Sequence, residues 1–218
     1  MSDQLRLVTD VKTHGRASHR RTVWLDDEPW RDMAVEALRE CGIAAGDEVI
    51  ISQIDDRLRD AEPRLARERA LRLLMYRERS THELHSRLLD DGYPPDVVDP
   101  LVAWLIDTAL VDDVRFAEGF ARMLVRSRGY GRDRAMRELR RRGIDDESAR
   151  AALDAAAPPG DEVDRALVLA RRLARTRDTV DRLAARLARR GFAPGIALHA
   201  ARSVLADADP GDTSAHDT

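Results

Sequence analysis

The chain of 218 residues is long enough for one or two domains. Charged residues make up 35% and aromatic residues only 4% of it, which is typical of helical proteins and disfavours aromatic-rich β-sandwiches and barrels. No run approaches the roughly 20 apolar residues of a transmembrane helix, and the N-terminus lacks a signal-peptide pattern. The single cysteine, Cys41, excludes an intramolecular disulfide and a cysteine zinc cluster. We therefore expect a cytoplasmic protein without a membrane partner.

The beginning of the chain is predicted to form a small β-hairpin followed by a helix. Two β-prone runs, 5–11 and 22–25, flank a polar stretch around Gly15, and this pattern favours a hairpin. A helix is predicted over about 31–41, and Gly42 is expected to end it.

From about residue 64 onward, the chain repeats one helical pattern three times. Two apolar residues four positions apart share a helix face, a glycine ends the helix in a left-handed conformation, and an apolar residue then folds back. Proline or aspartate next starts another helix, and a further helix precedes each copy. The three copies are Leu84-x3-Leu88-x3-Gly92-Tyr93, Ala135-x3-Leu139-x3-Gly143-Ile144 and Leu183-x3-Leu187-x3-Gly191-Phe192.

The pattern predicts a mainly α fold, a tandem array of three-helix repeats preceded by a small N-terminal β-hairpin plus helix segment. Ser80 and Glu83 are expected to form a capping box, while Pro100 would delay or kink its helix. The predicted divisions are 1–62 for the N-terminal extension, 63–111, 112–158 and 159–206 for the three repeats, and 207–218 for a disordered acidic tail.

Positive charge is concentrated in the second half of the chain, and arginine carries nearly all of it, since Lys12 is the only lysine. Residues 126–142 hold eight positive and two negative side chains, and residues 165–190 hold nine and two. These stretches are either solvated faces of amphipathic helices or a surface for an anionic partner. Four arginines of the third middle helix are predicted to form one outward stripe: Arg182, Arg186, Arg189 and Arg190.

Like charges on one helix face repel each other, so the stripe favours an anionic partner, either phosphate or an acidic protein groove. Tyr130, in the link between Gly129 and Gly131, is expected either to stack on a base or to pack on its own helix. The predicted surface for a nucleic acid or a protein–DNA filament comprises Arg126, Arg128, Tyr130, Arg132, Arg134, Arg141, Arg142, Arg171, Arg172, Arg175, Arg182, Arg186, Arg189 and Arg190.

No motif in the sequence indicates catalysis. A phosphate-binding loop with Gly-Lys-Ser/Thr is absent, and His82 and His85 are three positions apart rather than the four of a metalloprotease helix. We therefore expect a protein that is not an enzyme, with no catalytic residues, no cofactor and no metal.

Several of these segments together resemble the RecX family of recombinase regulators, over about residues 5–205. The first repeat of the family is similar to Ala70-Leu71-x-Leu73-Leu74-x-x-Arg77-x-Arg79-Ser80-x-x-Glu83-Leu84, followed by Leu88-x3-Gly92-Tyr93. The junction into its second repeat is similar to Leu110-Val111-Asp112-Asp113-x-x-Phe116-Ala117, and that repeat itself to Gly129-x-Gly131 and Glu138-Leu139-x3-Gly143-Ile144.

We expect a monomer. The resemblance implies a curved helical array that binds the RecA recombinase filament and inhibits its ATPase and strand exchange, in homologous recombination and the SOS response. It also implies contact with single-stranded DNA, with double-stranded DNA as an alternative. The family has no catalytic residues to transfer to this chain. Two other functions remain open: a stand-alone helical nucleic-acid-binding protein, and a repeat scaffold for an acidic protein.

Overall fold

The computed structural model describes residues 4–13 and 19–208, which form two compact units divided between Asp112 and Asp113. The predicted fold class is confirmed, because three-helix repeats follow a small β-containing segment. The polar stretch around Gly15 and residues 209–218 of the predicted tail lie outside the described residues. No described helix is both long and apolar enough to cross a bilayer.

The first unit begins with a four-stranded antiparallel sheet in the order β3-β2-β1-β4. The strands β1 and β2 are the two arms of the predicted hairpin, whereas β3 and β4 were not expected from the sequence. The strands are β1 (Leu5–Thr13), β2 (Arg20–Leu25), β3 (Glu28–Ala34) and β4 (Glu48–Ile50).

The prediction of a helix over 31–41 is wrong for its first four residues, which belong to β3. Asp26 and Asp27 both have positive φ, 49° and 68°, and this two-residue turn directs the chain back along β2. The side chain of Asp32 then accepts a hydrogen bond from Thr22 Oγ1 at 2.6 Å across the strands. Strand pairing therefore overrides the helical propensity of this segment. Helix α1 (Val35–Cys41) follows, and Gly42 ends it as predicted, with φ of 66°.

Helix α2 (Ile51–Tyr76) connects the sheet to the first repeat without interruption, although Pro63 lies inside it. It contacts β4 and α1, and also α3 (Thr81–Asp90) and α4 (Pro95–Asp107). One hydrophobic core consequently includes residues from both the sheet and the repeat.

The first repeat shows the expected cap. Ser80 Oγ accepts a hydrogen bond from the Glu83 backbone N–H at 3.1 Å, and the Glu83 carboxylate accepts two from the Arg77 guanidinium, each at 2.9 Å. Pro100 does not delay α4, which begins at Pro95 and runs through it. The missing N–H of Pro100 removes one helical bond, that to the carbonyl of Asp96.

The second unit contains the other two repeats. A π-helical turn, Met123–Ser127, continues α5, and a short 3₁₀ turn, Pro159–Asp161, precedes α8. Because α8 ends at Leu173, Arg175 and Arg177 lie in the turn before α9 rather than on a helix. The helices are α5 (Asp113–Arg122), α6 (Arg132–Arg141), α7 (Asp146–Ala156), α8 (Glu162–Leu173), α9 (Val180–Arg189) and α10 (Pro194–Ala208). Asp207, expected in the tail, is therefore helical.

The repeated pattern has the predicted structural role in all three copies. The paired apolar side chains of each middle helix, such as Leu183 and Leu187, are completely buried, and each glycine has a positive φ. The following residue is buried as well, and its N–H bonds back to the carbonyl five residues earlier. These Schellman-type bonds are Tyr93 N–H to Leu88 O (3.2 Å), Ile144 N–H to Leu139 O (3.2 Å) and Phe192 N–H to Leu187 O (3.3 Å).

Candidate nucleic-acid interface

The arginine-rich region of the second unit is organised by a junction where the start of α6 meets the end of α9. Gly131 N–H donates to the carbonyl of Arg190 at 2.9 Å, and Asp133 N–H donates to that of Gly191 at 3.1 Å. Arg190 Nη1 returns a bond of 3.0 Å to the carbonyl of Arg128. The link between π turn and α6 is thereby attached to the third repeat.

Two glycines permit this close approach. A Cβ atom at Gly131 would overlap the carbonyl group of Gly191, and one at Gly191 would overlap the backbone of Arg134. Gly191 also has a φ of 91°, which side-chain-bearing residues rarely adopt. Glycine at both positions is therefore a steric requirement of the junction.

Two residues in the first turns of α8 complete the junction. Glu162 is buried, and its Oε1 accepts the backbone N–H of Arg132 at 2.8 Å. The Arg165 guanidinium donates to the carbonyl of Tyr130, and burial lowers its pKa. Neither residue is predictable from the repeated glycine pattern, because both lie outside it.

The junction also satisfies the electrostatics of two helix ends. The unpaired N–H groups at the start of α6 carry partial positive charge, and the unpaired carbonyls at the end of α9 carry partial negative charge. Their direct hydrogen bonds, together with the carboxylate of Glu162, occupy the N–H groups of Gly131, Arg132 and Asp133. These groups are consequently not available for a phosphate.

The predicted arginines divide into two sets, and the first set is engaged within the protein. Its members bind carboxylates, carbonyls or aromatic rings of the same unit, which fixes their guanidinium groups. The engaged set consists of Arg132 (Asp154, 2.7 Å), Arg134 (Arg189 carbonyl, 3.0 Å), Arg141 (Glu138, 2.6 Å), Arg142 (over the Phe120 ring, 5.1 Å), Arg186 (Asp178) and Arg190 (Arg128 carbonyl, 3.0 Å).

Arg186 differs most from its expected outward position. Its side chain is only 20% exposed, pairs with Asp178, and donates to the carbonyl of Leu173 at 3.2 Å. The hydrogen bond from Arg186 holds the pKa of Asp178 below its usual range. Arg186 therefore holds the turn between α8 and α9, and the outward stripe loses its central member.

Tyr130 packs on its own helix, the second of the two interpretations. The Arg134 guanidinium lies over its ring, 4.1 Å from the centroid, and the side chain is half-buried. One face of the ring is thus already covered by a cation.

The second set of predicted arginines is exposed. The side chains of Arg126, Arg128, Arg172, Arg182 and Arg189 form no ion pair with a described residue. Arg171 is 3.9 Å from Asp207, and Arg175 is exposed, with its charge contributing to the low pKa of Asp178. Arg137, on α6, is likewise exposed and was missed because it lies outside the aligned stripe positions. We call the exposed group Arg126, Arg128, Arg172, Arg182 and Arg189 the free arginine set.

The contacts of the junction place members of the free arginine set near one another. The carbonyls of Arg128 and Arg189 accept hydrogen bonds from Arg190 and Arg134, so both backbones border the junction. Arg126 and Arg172 line one cavity beside it. Such a surface suits a polyanion, because guanidinium groups form forked hydrogen bonds with phosphate.

In a comparison with known protein families, each of the two units matches a domain of the same family. Residues 66–105 match the family model described as RecX, first three-helix domain, and residues 112–153 match that described as RecX, second three-helix domain. The first match lies on α2 to α4 and the second on α5 to α7.

Curated relatives and solved structures agree with these matches. The chain is 35% identical to the regulatory protein RecX of Thermobifida fusca over 145 residues, which cover 64% of this chain and 78% of that protein. It is 34% identical to the regulatory protein RecX of Mycolicibacterium smegmatis over 171 residues, covering 72% and 90%.

Two solved structures share the fold. The crystal structure of a regulatory protein RecX, 22% identical, aligns with a TM-score of 0.57 over 88% of this chain and 97% of its own. That of RecX from Lactobacillus salivarius, also 22% identical, aligns with a TM-score of 0.57 over 66% and 97%. The two matched domains follow each other in the chain, and the curated relatives share more than 30% identity over most of their length. This chain therefore belongs to the RecX family of regulatory proteins.

Proposed function

We propose that this chain regulates the RecA recombinase in the cytoplasm as a negative modulator without enzymatic activity of its own. It binds the filament that RecA forms on single-stranded DNA and reduces ATP hydrolysis and strand exchange by the filament. Family membership supports the recombinase as partner, and the free arginine set supports contact with the DNA of the filament. That set is the observation that carries the proposal.

The free arginine set has the properties of a phosphate-binding surface. Its guanidinium groups are exposed and lack carboxylate partners among the described residues, so binding a phosphate breaks no internal ion pair. Two members of the engaged set, Arg134 and Arg190, hydrogen-bond across the junction that the free arginines border. Affinity from such contacts arises largely from counterion release and falls steeply with salt.

The first unit offers a surface of different chemistry, which we assign to the recombinase protein. At the end of α2, Met75 and Tyr76 are 86% and 85% exposed, unusually high for adjacent large apolar side chains. The neighbouring charges of Arg77 and Glu83 neutralise each other. An exposed apolar surface without net charge is better suited to binding a pocket on a protein than to binding the phosphate backbone of DNA.

The proposal is tested by titrating the full chain into the single-stranded-DNA-dependent ATPase reaction of the cognate RecA. A fall in the rate at substoichiometric ratios supports binding to and capping of the filament. An unchanged rate, with DNA binding measured separately and present, contradicts the proposal and identifies a stand-alone nucleic-acid-binding protein. An increased rate contradicts negative modulation while leaving the recombinase as the partner.

A further inference from the structure

A cavity of about 520 Å³ lies in the second unit, beside the junction of its two repeats. The π-helical turn contributes Val125 and Arg126 to the wall, and α8 contributes Val168 and Arg172. Pockets for small organic molecules typically measure about 300–1,000 Å³, so this cavity has room for a planar group of the size of a nucleobase.

The inner wall of the cavity is apolar. Val125 and Phe192 are buried parts of the hydrophobic core that also border the cavity. Val168 is 55% exposed although it is a β-branched apolar residue in the middle of α8. Val125 and Phe192 thus make the floor of the cavity apolar, and the exposed Val168 offers an apolar surface that a flat ring can contact.

The rim of the cavity carries charges of both signs in separate roles. Arg126 and Arg172, members of the free arginine set, form no ion pair with a described residue. Asp164 on the same rim is exposed and also forms no ion pair within the described part of the chain. A purely phosphate-binding groove would avoid such a carboxylate, since it repels the strand. A base, in contrast, has N–H groups that can donate hydrogen bonds to a carboxylate.

We propose that this cavity receives one unstacked base of single-stranded DNA, with the adjoining phosphates held by Arg126 and Arg172. The base packs against the exposed side chain of Val168, and Asp164 accepts hydrogen bonds from its Watson–Crick edge. Guanine presents two adjacent N–H donors on that edge, whereas thymine presents one N–H between two carbonyls. The site therefore favours guanine over thymine. This inference rests on the proposed contact of the chain with DNA.

The entry of a base into the cavity is tested with a 15-mer of single-stranded DNA that contains one 2-aminopurine among adenines. The fluorescence of 2-aminopurine rises when this base no longer stacks on its neighbours in the strand. Wild-type protein should raise the fluorescence. Val168→Trp, which fills the mouth of the cavity, should abolish that rise and weaken binding by about fivefold, which corresponds to a loss of about 1 kcal/mol of contact between the base and the cavity. Val114→Trp is the matched control, because Val114 is 60% exposed on α5 and does not line the cavity.

The carboxylate part is tested by comparing an oligothymidine 15-mer with the same strand containing one central guanine. Wild-type protein should prefer the guanine strand, Asp164→Asn should remove the preference, and Asp181→Asn, an exposed aspartate on α9, should retain it. Helicity measured by circular dichroism verifies folding, and Val168→Glu provides a second variant if Val168→Trp does not fold.

The outcomes separate this inference from the proposed function. If Val168→Trp binds DNA and changes the fluorescence as the wild type does, the base site is overturned. If that variant binds DNA normally but no longer inhibits the RecA ATPase, the cavity takes a side chain of the recombinase instead, and only the proposed function remains. If wild-type protein binds no DNA, the base site is overturned together with the role assigned to the free arginine set.

Discussion

Gly131 and Gly191, sixty residues apart in the chain, lie in direct backbone contact at the junction of the second and third repeats. The hydrogen bonds on either side of this contact join the end of α9 to the start of α6. Because neither position has space for a Cβ atom, the two repeats approach more closely than side-chain packing would allow. Arg128 of the link and Arg189 of α9, whose carbonyls accept hydrogen bonds at the junction, consequently border one surface.

Substitution of Gly131 by alanine should destabilise the second unit. The new methyl group would overlap the carbonyl of Gly191, and overpacking of this kind costs about 1–3 kcal/mol. Urea unfolding followed by circular dichroism measures the change. Gly195→Ala is the control, since nothing lies within 4 Å of a Cβ there, and its stability should be unchanged or raised by up to about 1 kcal/mol. Equal stabilities of the two variants would contradict the steric role of Gly131.

Replacement of Arg128, Arg182 and Arg189 by glutamine should weaken binding to single-stranded DNA without unfolding the chain. Each lost phosphate contact should reduce the slope of log affinity against log salt by about 0.7, so the slope should fall by roughly 2. Fluorescence anisotropy at several salt concentrations measures both quantities. The control changes three exposed arginines of the first unit, Arg39, Arg59 and Arg64, to glutamine, and it matches the loss of positive charge although Arg59 and Arg64 form ion pairs with Asp56 and Glu40. If the control lost the same affinity for single-stranded DNA, the weaker binding would be explained by the change in net charge alone.

Asp178→Asn should destabilise the third repeat in a pH-dependent manner. Arg186 lowers the pKa of Asp178 from its ordinary value of 3.8, so the ion pair stabilises the fold above that pH and its contribution is lost as the pH falls through the folded-state pKa. The stability difference between variant and wild type should therefore be larger at pH 7 than at pH 3, as measured by urea unfolding. A difference that stays constant over this range would show that the charge of Asp178 does not matter.

Changing both Met75 and Tyr76 to serine should separate the two contacts of the proposed function. Because these side chains are exposed, their loss should leave the helicity and the affinity for single-stranded DNA unchanged, while inhibition of the RecA ATPase weakens. Leu5→Ser, at a residue 56% exposed on β1, serves as the control and should inhibit like the wild type. Unimpaired inhibition by the double variant would assign this surface no role in binding the recombinase.

The helical repeats could be predicted because their signals are local. An i, i+4 apolar pair, a glycine and a buried residue after it, as in Leu139, Gly143 and Ile144, specify one helix and its end within a few residues. The strand β3 could not be predicted in this way. Its residues 31–34 favour a helix by themselves, and only pairing with β2 through the Asp26–Asp27 turn makes them extended.

For the predicted site too, features that depend on neighbouring residues could be predicted, and contacts between distant residues could not. The sequence places positive charge on α6 and α9, but it does not show which charges find partners elsewhere. Arg186 appeared outward by helical spacing, yet Asp178 in the preceding turn turns it inward. Glu162 at the junction accepts a hydrogen bond from the N–H group of Arg132, thirty positions away in the chain. Only the folded structure brings these two residues together.

The continuity of α2 joins the N-terminal sheet of this chain and its first repeat into one structural body. Its first half packs beside the sheet and α1, and its second half belongs to the first three-helix domain, so no hinge separates the two. A shortened chain that started at residue 66, where the matched domain begins, would lack the sheet and the first half of α2, including the buried Leu58 and Ala61, and would expose the rest of the shared core to water. The N-terminal segment of this chain is therefore an integral part of the first unit and not an addition that folds on its own.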